Sequence, residues 1–175
     1  AFYADIARRL LDRGVRIDSL CLKDASGTTD PTTVYETAQA VRKLLGSAVP
    51  LWFHTHDTAS MAVACNMAAI EGGVDGIDLS VRPLASGTSQ PDVRSMAHAL
   101  KGTGYRLDVD PRRMGEVEAA LADGLDDYAF NPITLAADAR VVDFPMPGGA
   151  IGPNVHMMAQ AGILDRYDEV LAEFP

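Results

Sequence analysis

Apolar and polar positions along the first hundred residues follow two alternating rhythms. Residues 1–13 put Phe2, Ile6, Leu10 and Leu11 on one stripe with charges opposite, the spacing of an amphipathic helix, and Gly14 is suited to end it. Residues 15–22, VRIDSLCL, are short and β-rich and predict a buried strand that leads into Lys23-Asp24. ASGTTDP at 25–31 reads as a loop. Asp30-Pro31 then has the form of an N-cap followed by Pro in the first helical turn, and the helix runs to Gly46. The pattern repeats. VPLWFHTH at 49–56 predicts a strand, 59–73 a nearly all-apolar helix ending at Gly72-Gly73, and VDGIDLSV at 74–81 a third strand. A polar loop over 82–91 and a helix from Asp92 to Gly104 complete the third unit.

Strand and helix thus alternate at roughly 30-residue intervals, the signature of βαβ units and a parallel sheet. The rhythm breaks after Gly104. RLDVDPRR is a connector, 111–127 predict one helix with a late break at Gly124, 145–149 a sharp loop, and 154–174 helix interrupted near Gly162-Ile163. Residues 1–104 therefore read as α/β and 105–175 as a helical appendage. Three βα units fit either a small open sheet or part of a (β/α)₈ barrel. A whole barrel needs about 250 residues, and the chain has 175.

Composition narrows the function classes. Apolar residues make up 47% and charged residues 22%, as in an ordinary globular domain. The net charge is −9 and the basic residues are scattered, so the phosphate-neutralising patch of a nucleic-acid binder is not expected. No apolar run is long enough to span a membrane. The start, AFYADI, does not read as a signal peptide, and without an initiator Met it reads as a fragment or processed piece. Cys21 and Cys65 read as two buried, reduced thiols, which fits a cytoplasmic location.

Three features carry chemistry. His54-Thr55-His56 puts two imidazoles at i and i+2, on one face of a strand and near its C-terminal end, where parallel α/β folds build their sites. Such a pair suits one cation, and equally suits a partly buried polar strand end. Lys23 closes the preceding strand on the same rim. A snorkelling side chain, a pair with Asp24, a Schiff-base lysine or a carbamate ligand formed with CO₂ all fit it. The loop Arg82–Pro91 emerges on that rim too, and can be a plain connection or a holder of polar substrate. His98 and His156 read as surface or packing residues, and Met61, Met67, Met96, Met157 and Met158 as core fillers.

LKDASGTTDP (22–31), FHTHDT (53–58), EGGVDGIDLSVRPLASGTSQP (71–91) and MPGGAIGPNVHMM (146–158) occur in an order and at separations that resemble the biotin-dependent carboxyltransferase domains. These include the carboxyltransferase domain of pyruvate carboxylase, the alpha subunit of oxaloacetate decarboxylase and the metal subunit of transcarboxylase. The resemblance covers nearly the whole chain. It implies the last three βα units of a (β/α)₈ TIM barrel followed by a helical extension. It also implies a divalent metal (Zn, Co or Mn) held by Lys23 as a carbamate, His54 and His56. Thr88, Ser89 and Gln90 are the substrate-binding candidates.

The activity implied is transfer of CO₂ between carboxybiotin and a 2-oxo acid. The partners implied are that acid, a biotin carrier on a separate domain or subunit, the missing N-terminal barrel half and further copies in a homo-oligomer. Two departures stand out. The family's aspartate ligand and carboxylate-binding arginines belong to the half not represented. Gly152 stands where the family carries a proton-shuttling threonine. The aldolase-like barrels of hydroxymethylglutaryl-CoA lyase and isopropylmalate synthase share His-x-His-Asp, so a Claisen-type lyase or synthase, or a non-catalytic subunit, is the rival expectation. Lys23 and the helical tail favour the biotin branch.

Overall fold

The computed structural model describes residues 2–110, 112–144 and 146–173. Its elements run α1 (Phe2–Asp12), β1 (Leu20–Asp24), α2 (Pro31–Leu45), β2 (Leu51–Thr55), α3 (Ala62–Glu71), β3 (Gly76–Ile77), α4 (Val93–Ala99), α5 (Met114–Gly124), α6 (Pro132–Leu135), α7 (Gly148–Gln160) and α8 (Tyr167–Ala172). The strands form one parallel sheet in the order β1-β2-β3. Local signals explain the helix ends. Asp30 Oδ1 accepts from the Thr33 N–H at 2.9 Å and Pro31 opens α2, while Gly46 closes it at φ 65.

The sheet has two unlike faces. Leu22, Leu51 and Phe53 point toward α2 and α3 and bury with Val34, Ala38, Val41, Leu45, Cys65 and Ala69. Cys21, Lys23, Trp52 and His54 alternate with them and lie on the opposite face. There Trp52 is 42% exposed. A parallel sheet is ordinarily covered on both sides, so this uncovered face distinguishes the chain from a finished α/β domain.

Four expectations are corrected. β1 starts at Leu20, not Val15, because pairing begins where Leu20 meets Leu51; Arg16 and Asp18 instead bind each other at 2.7 Å in the exposed approach. The third strand is two residues of the predicted eight, continued only by an isolated Ser80–Asp92 bridge, since β3 has just one paired neighbour among the described residues. Cys21 is exposed, because it faces the uncovered side; only Cys65 is buried. Pro147-Gly148-Gly149 is not a plain loop, since α7 starts at Gly148, six residues ahead of Asn154. The predicted starts at Pro111 and Pro145 and the predicted end at Phe174 lie outside the described residues.

Among the described residues beyond Gly104 the elements are all helical. α7 and its neighbours form a second apolar cluster in which Val141, Met146, Ile151 and Val155 pack with Ala59, just after β2. The tail is thereby pressed against the C-terminal rim of the sheet.

Candidate metal centre

The strand register brings the first two candidates together. Lys23 and His54 are Cα partners across β1 and β2. In adjacent strands of a parallel pair such residues share a face at about 4.8 Å. The Asp24 carboxylate is committed elsewhere: it accepts from Thr55 Oγ1 (2.9 Å), Gly27 N (3.1 Å) and Thr29 N (3.3 Å), which ties down the loop after β1. No ion pair among the described residues involves Lys23. The Lys23–Asp24 pair is therefore not formed.

His54 and His56 turn their outer ring nitrogens toward each other, with Nε2 to Nε2 at 3.2 Å. Their inner nitrogens are both occupied. His54 Nδ1 lies 2.7 Å from Asp78 Oδ2 and His56 Nδ1 lies 2.6 Å from the carbonyl oxygen of Thr88. A carbonyl can only accept, so His56 Nδ1 carries the proton; an ionised Asp78 imposes the same tautomer on His54. Both Nε2 atoms then present lone pairs to one point. Neutral, they repel; a cation between them removes the conflict. Two nitrogens bound at 2.0–2.1 Å to one tetrahedral or octahedral ion stand about 2.9–3.4 Å apart, and the observed separation falls inside that range. The donor set fits a borderline divalent metal.

Among the described residues no group of three His, Cys, Asp or Glu side chains forms a metal cluster. A third ligand from among them would be of another residue type, and Lys23 is beside His54. Asp78 and the Thr88 carbonyl complete the hydrogen-bonded support that ligand histidines ordinarily have. Sequence reading missed both. An aspartate just past a short strand looks like any polar strand end, and a backbone acceptor has no residue signature.

The loop candidates divide. Thr88 Oγ1 donates to the carbonyl of Thr134 at 2.9 Å, and Ser89 Oγ to Ser80 Oγ at 3.3 Å. Gln90 Nε2 lies 3.4 Å from His54 Nε2, so its side chain faces the histidines, whereas Thr88 meets them through its backbone carbonyl. His98 and His156 are both exposed and stand outside this cluster. Gly152 borders a separate cavity of about 540 Å³ with Thr134 and His156, and a Cβ there would meet open space.

The rim is tightly built. Gly27 has φ +70, and a Cβ on it would fall on the His56 carbonyl oxygen. A Cβ on Gly148 would lie 2.5 Å from His56 Nδ1. Both glycines are required by the close approach of backbone to His56.

The HMGL-like family model matches residues 1–121. The chain is 34% identical over 175 residues to a pyruvate carboxylase subunit of Methanocaldococcus jannaschii, covering 99% of this chain and 30% of that protein. It is 28% identical over 173 residues to the methylmalonyl-CoA carboxyltransferase 5S subunit of Propionibacterium freudenreichii subsp. shermanii, covering 99% of this chain and 34% of that one. The carboxyl transferase domain of Rhizobium etli pyruvate carboxylase, solved with pyruvate, superposes with a TM-score of 0.80 at 26% identity, over 97% of this chain and 28% of the other. The chain spans about a third of the length of the curated relatives it matches. The three βα units are part of a carboxyltransferase-type TIM barrel.

Proposed function

The chain belongs to the HMGL-like family, and from that premise we propose that it forms part of a metal-dependent carboxyltransferase that moves CO₂ between carboxybiotin and a 2-oxo acid of the pyruvate or oxaloacetate type. The observation that carries the reading is the pair of Nε2 atoms held 3.2 Å apart with both Nδ1 atoms at hydrogen-bonding distance from an oxygen. Lys23, His54 and His56 would hold the cation. Lys23 would do so after its ammonium loses one proton and the free amine adds CO₂ with loss of a second proton, which replaces a cationic ammonium by an anionic carbamate oxygen. When bound, a divalent cation such as Zn, Co or Mn supplies Lewis acidity toward a keto oxygen and so favours the enolate.

The chain's own residues do the rest of what it contributes. Asp78 and the Thr88 carbonyl keep both imidazoles in the Nδ1–H tautomer. Gln90 offers an amide donor beside His54 for a polar substrate group, and Thr88 and Ser89 shape the loop that carries it. Gly152 has no hydroxyl, so proton handling at that position falls to water or another side chain. Biotin would arrive on a separate carrier. We propose the boundary at residue 104, with the barrel portion before it and the helical extension after it. The remaining barrel strands would cover the face that carries Cys21, Trp52 and Lys23, and further copies would complete a homo-oligomer.

The rival reading is a Claisen-type lyase acting on an acyl-CoA, which His54, His56 and Asp57 would also suit. An assay of the full-length polypeptide separates them. Avidin-sensitive decarboxylation of a 2-oxo dicarboxylic acid supports carboxyl transfer. Biotin-independent cleavage of an acyl-CoA, with unmodified Lys23, would replace it by the lyase reading.

A further inference from the structure

We infer that the helical tail sets the orientation of His56 through Thr88, which makes Thr88 a positioning residue; this rests on the metal-site reading above. The Thr88 peptide is held from both sides. Its N–H donates to the Thr134 carbonyl at 3.2 Å and its Oγ1 to the same oxygen at 2.9 Å. Its own carbonyl accepts from His56 Nδ1 at 2.6 Å. The result is a continuous chain from Thr134, in α6, to the Nε2 atom that faces His54.

The anchor at the far end is itself fixed. Asn131 caps α6, accepting from the Ile133 N–H at 3.0 Å, while Thr134 Oγ1 donates to the Asn131 carbonyl at 2.7 Å. The α6 turn lies directly on the loop backbone: a Cβ on Gly87, which has φ +57, would stand 2.7 Å from the carbonyl carbon and oxygen of Leu135. The tail acts again at the same Nδ1 edge of His56, through Gly148, whose N–H donates to the Ala25 carbonyl at 2.8 Å and where a Cβ would stand 2.5 Å from His56 Nδ1 and 2.9 Å from the Thr88 carbonyl oxygen. The Nδ1 edge of the imidazole is thus packed by both the Thr88 carbonyl and the first turn of α7.

His54 is oriented differently, by Asp78 from the sheet side. The two ligands therefore have separate supports, one built into the barrel strands and one reaching in from residues beyond 130. Without the Thr88 hydroxyl, the longer N–H contact is the hydrogen bond that remains from Thr88 to Thr134, and the carbonyl that aims His56 loosens. Metal affinity then falls although no ligand is altered, because outer-shell partners of ligand histidines typically govern about 10–100-fold in affinity.

The test uses Thr88→Val, Thr88→Ala and Thr88→Ser in the full-length polypeptide, stripped of metal. Zn²⁺ affinity is read by competition with a chromophoric chelator, the ligand field by Co²⁺ absorption, and the fold by thermal melting. The expected result is about tenfold weaker Zn²⁺ binding and an altered Co²⁺ spectrum for Val and Ala, with wild-type behaviour for Ser and wild-type melting for all metal-free variants. Wild-type affinity in both Val and Ala, or a Ser variant as weak as Val, would overturn the inference and leave the metal site standing. A wild-type protein that binds neither cation would instead remove the metal-site reading on which it rests.

Discussion

His54 Nδ1 lies 2.7 Å from Asp78 Oδ2, so a carboxylate just past β3 holds an imidazole near the end of β2. This pair fixes both the rotation of the ring and its tautomer. Asp78→Ala removes the acceptor and is expected to weaken Zn²⁺ binding by about 10–100-fold. Asp78→Asn keeps an amide oxygen able to accept and should fall between Ala and wild type. Chelator competition gives the values, and equal affinities in all three proteins would show that Asp78 has no part in the site.

Lys23 stands in register with His54 but joins no ion pair among the described residues. If it supplies the third protein ligand as a carbamate, native mass spectrometry of the full-length protein at neutral pH detects one added CO₂ that is absent from a Lys23→Ala variant. Acidification releases it. Lys23→Ala should lose both the adduct and the metal, whereas Lys23→Glu, which carries an oxygen anion of its own, should retain part of the metal. Full metal occupancy in Lys23→Ala would refute the ligand role.

Backbone proximity at the rim makes two glycines sensitive. Gly148→Ala puts a methyl 2.5 Å from His56 Nδ1, which displaces the ring. The expected outcome is lost metal binding with a retained far-UV circular dichroism spectrum. Gly27→Ala meets the His56 carbonyl in a left-handed backbone conformation and should destabilise the fold itself, by more than about 1 kcal/mol in urea unfolding.

The two thiols give a pH-dependent test of the packing. Burial, reinforced by Asp24, Asp30 and Asp57, pushes the Cys65 thiol up to about 12 from its ordinary 9.0. An unfolded chain releases that proton first, so above pH 9 the unfolded state binds fewer protons and stability falls as pH rises. The contribution is fully present below pH 9 and lost on passing about 12. Cys65→Ala should flatten the alkaline slope of the unfolding midpoint. Iodoacetamide should label Cys21 but not Cys65 in the folded 175-residue chain, and Cys21 should become protected in the full-length polypeptide if other barrel strands cover its face.

Much of this arrangement was legible in the sequence. The Asp30-Pro31 start and Gly46 stop of α2 rest on local chemistry, and local chemistry is what a sequence displays. His-x-His at a strand end was legible because the pleat puts i and i+2 on one side. β1 was misplaced toward Val15 because strand propensity does not say where a partner begins, and the partner here is Leu51. The start of α7 was hidden because Gly148 and Gly149 disfavour helix by propensity; tertiary packing against His56 overrides it, and only a residue without a side chain fits at Gly148. The Thr88 carbonyl could not be read at all, since every residue has one.

The most direct test is the metal content of the full-length protein, purified without chelators and measured by elemental analysis, with and without the His54→Ala/His56→Ala double substitution. Convergent Nε2 atoms predict about one divalent transition metal per chain in the wild type and essentially none in the double variant. A wild-type protein free of transition metal, or a double variant that keeps it, would contradict the assignment of His54 and His56 as ligands.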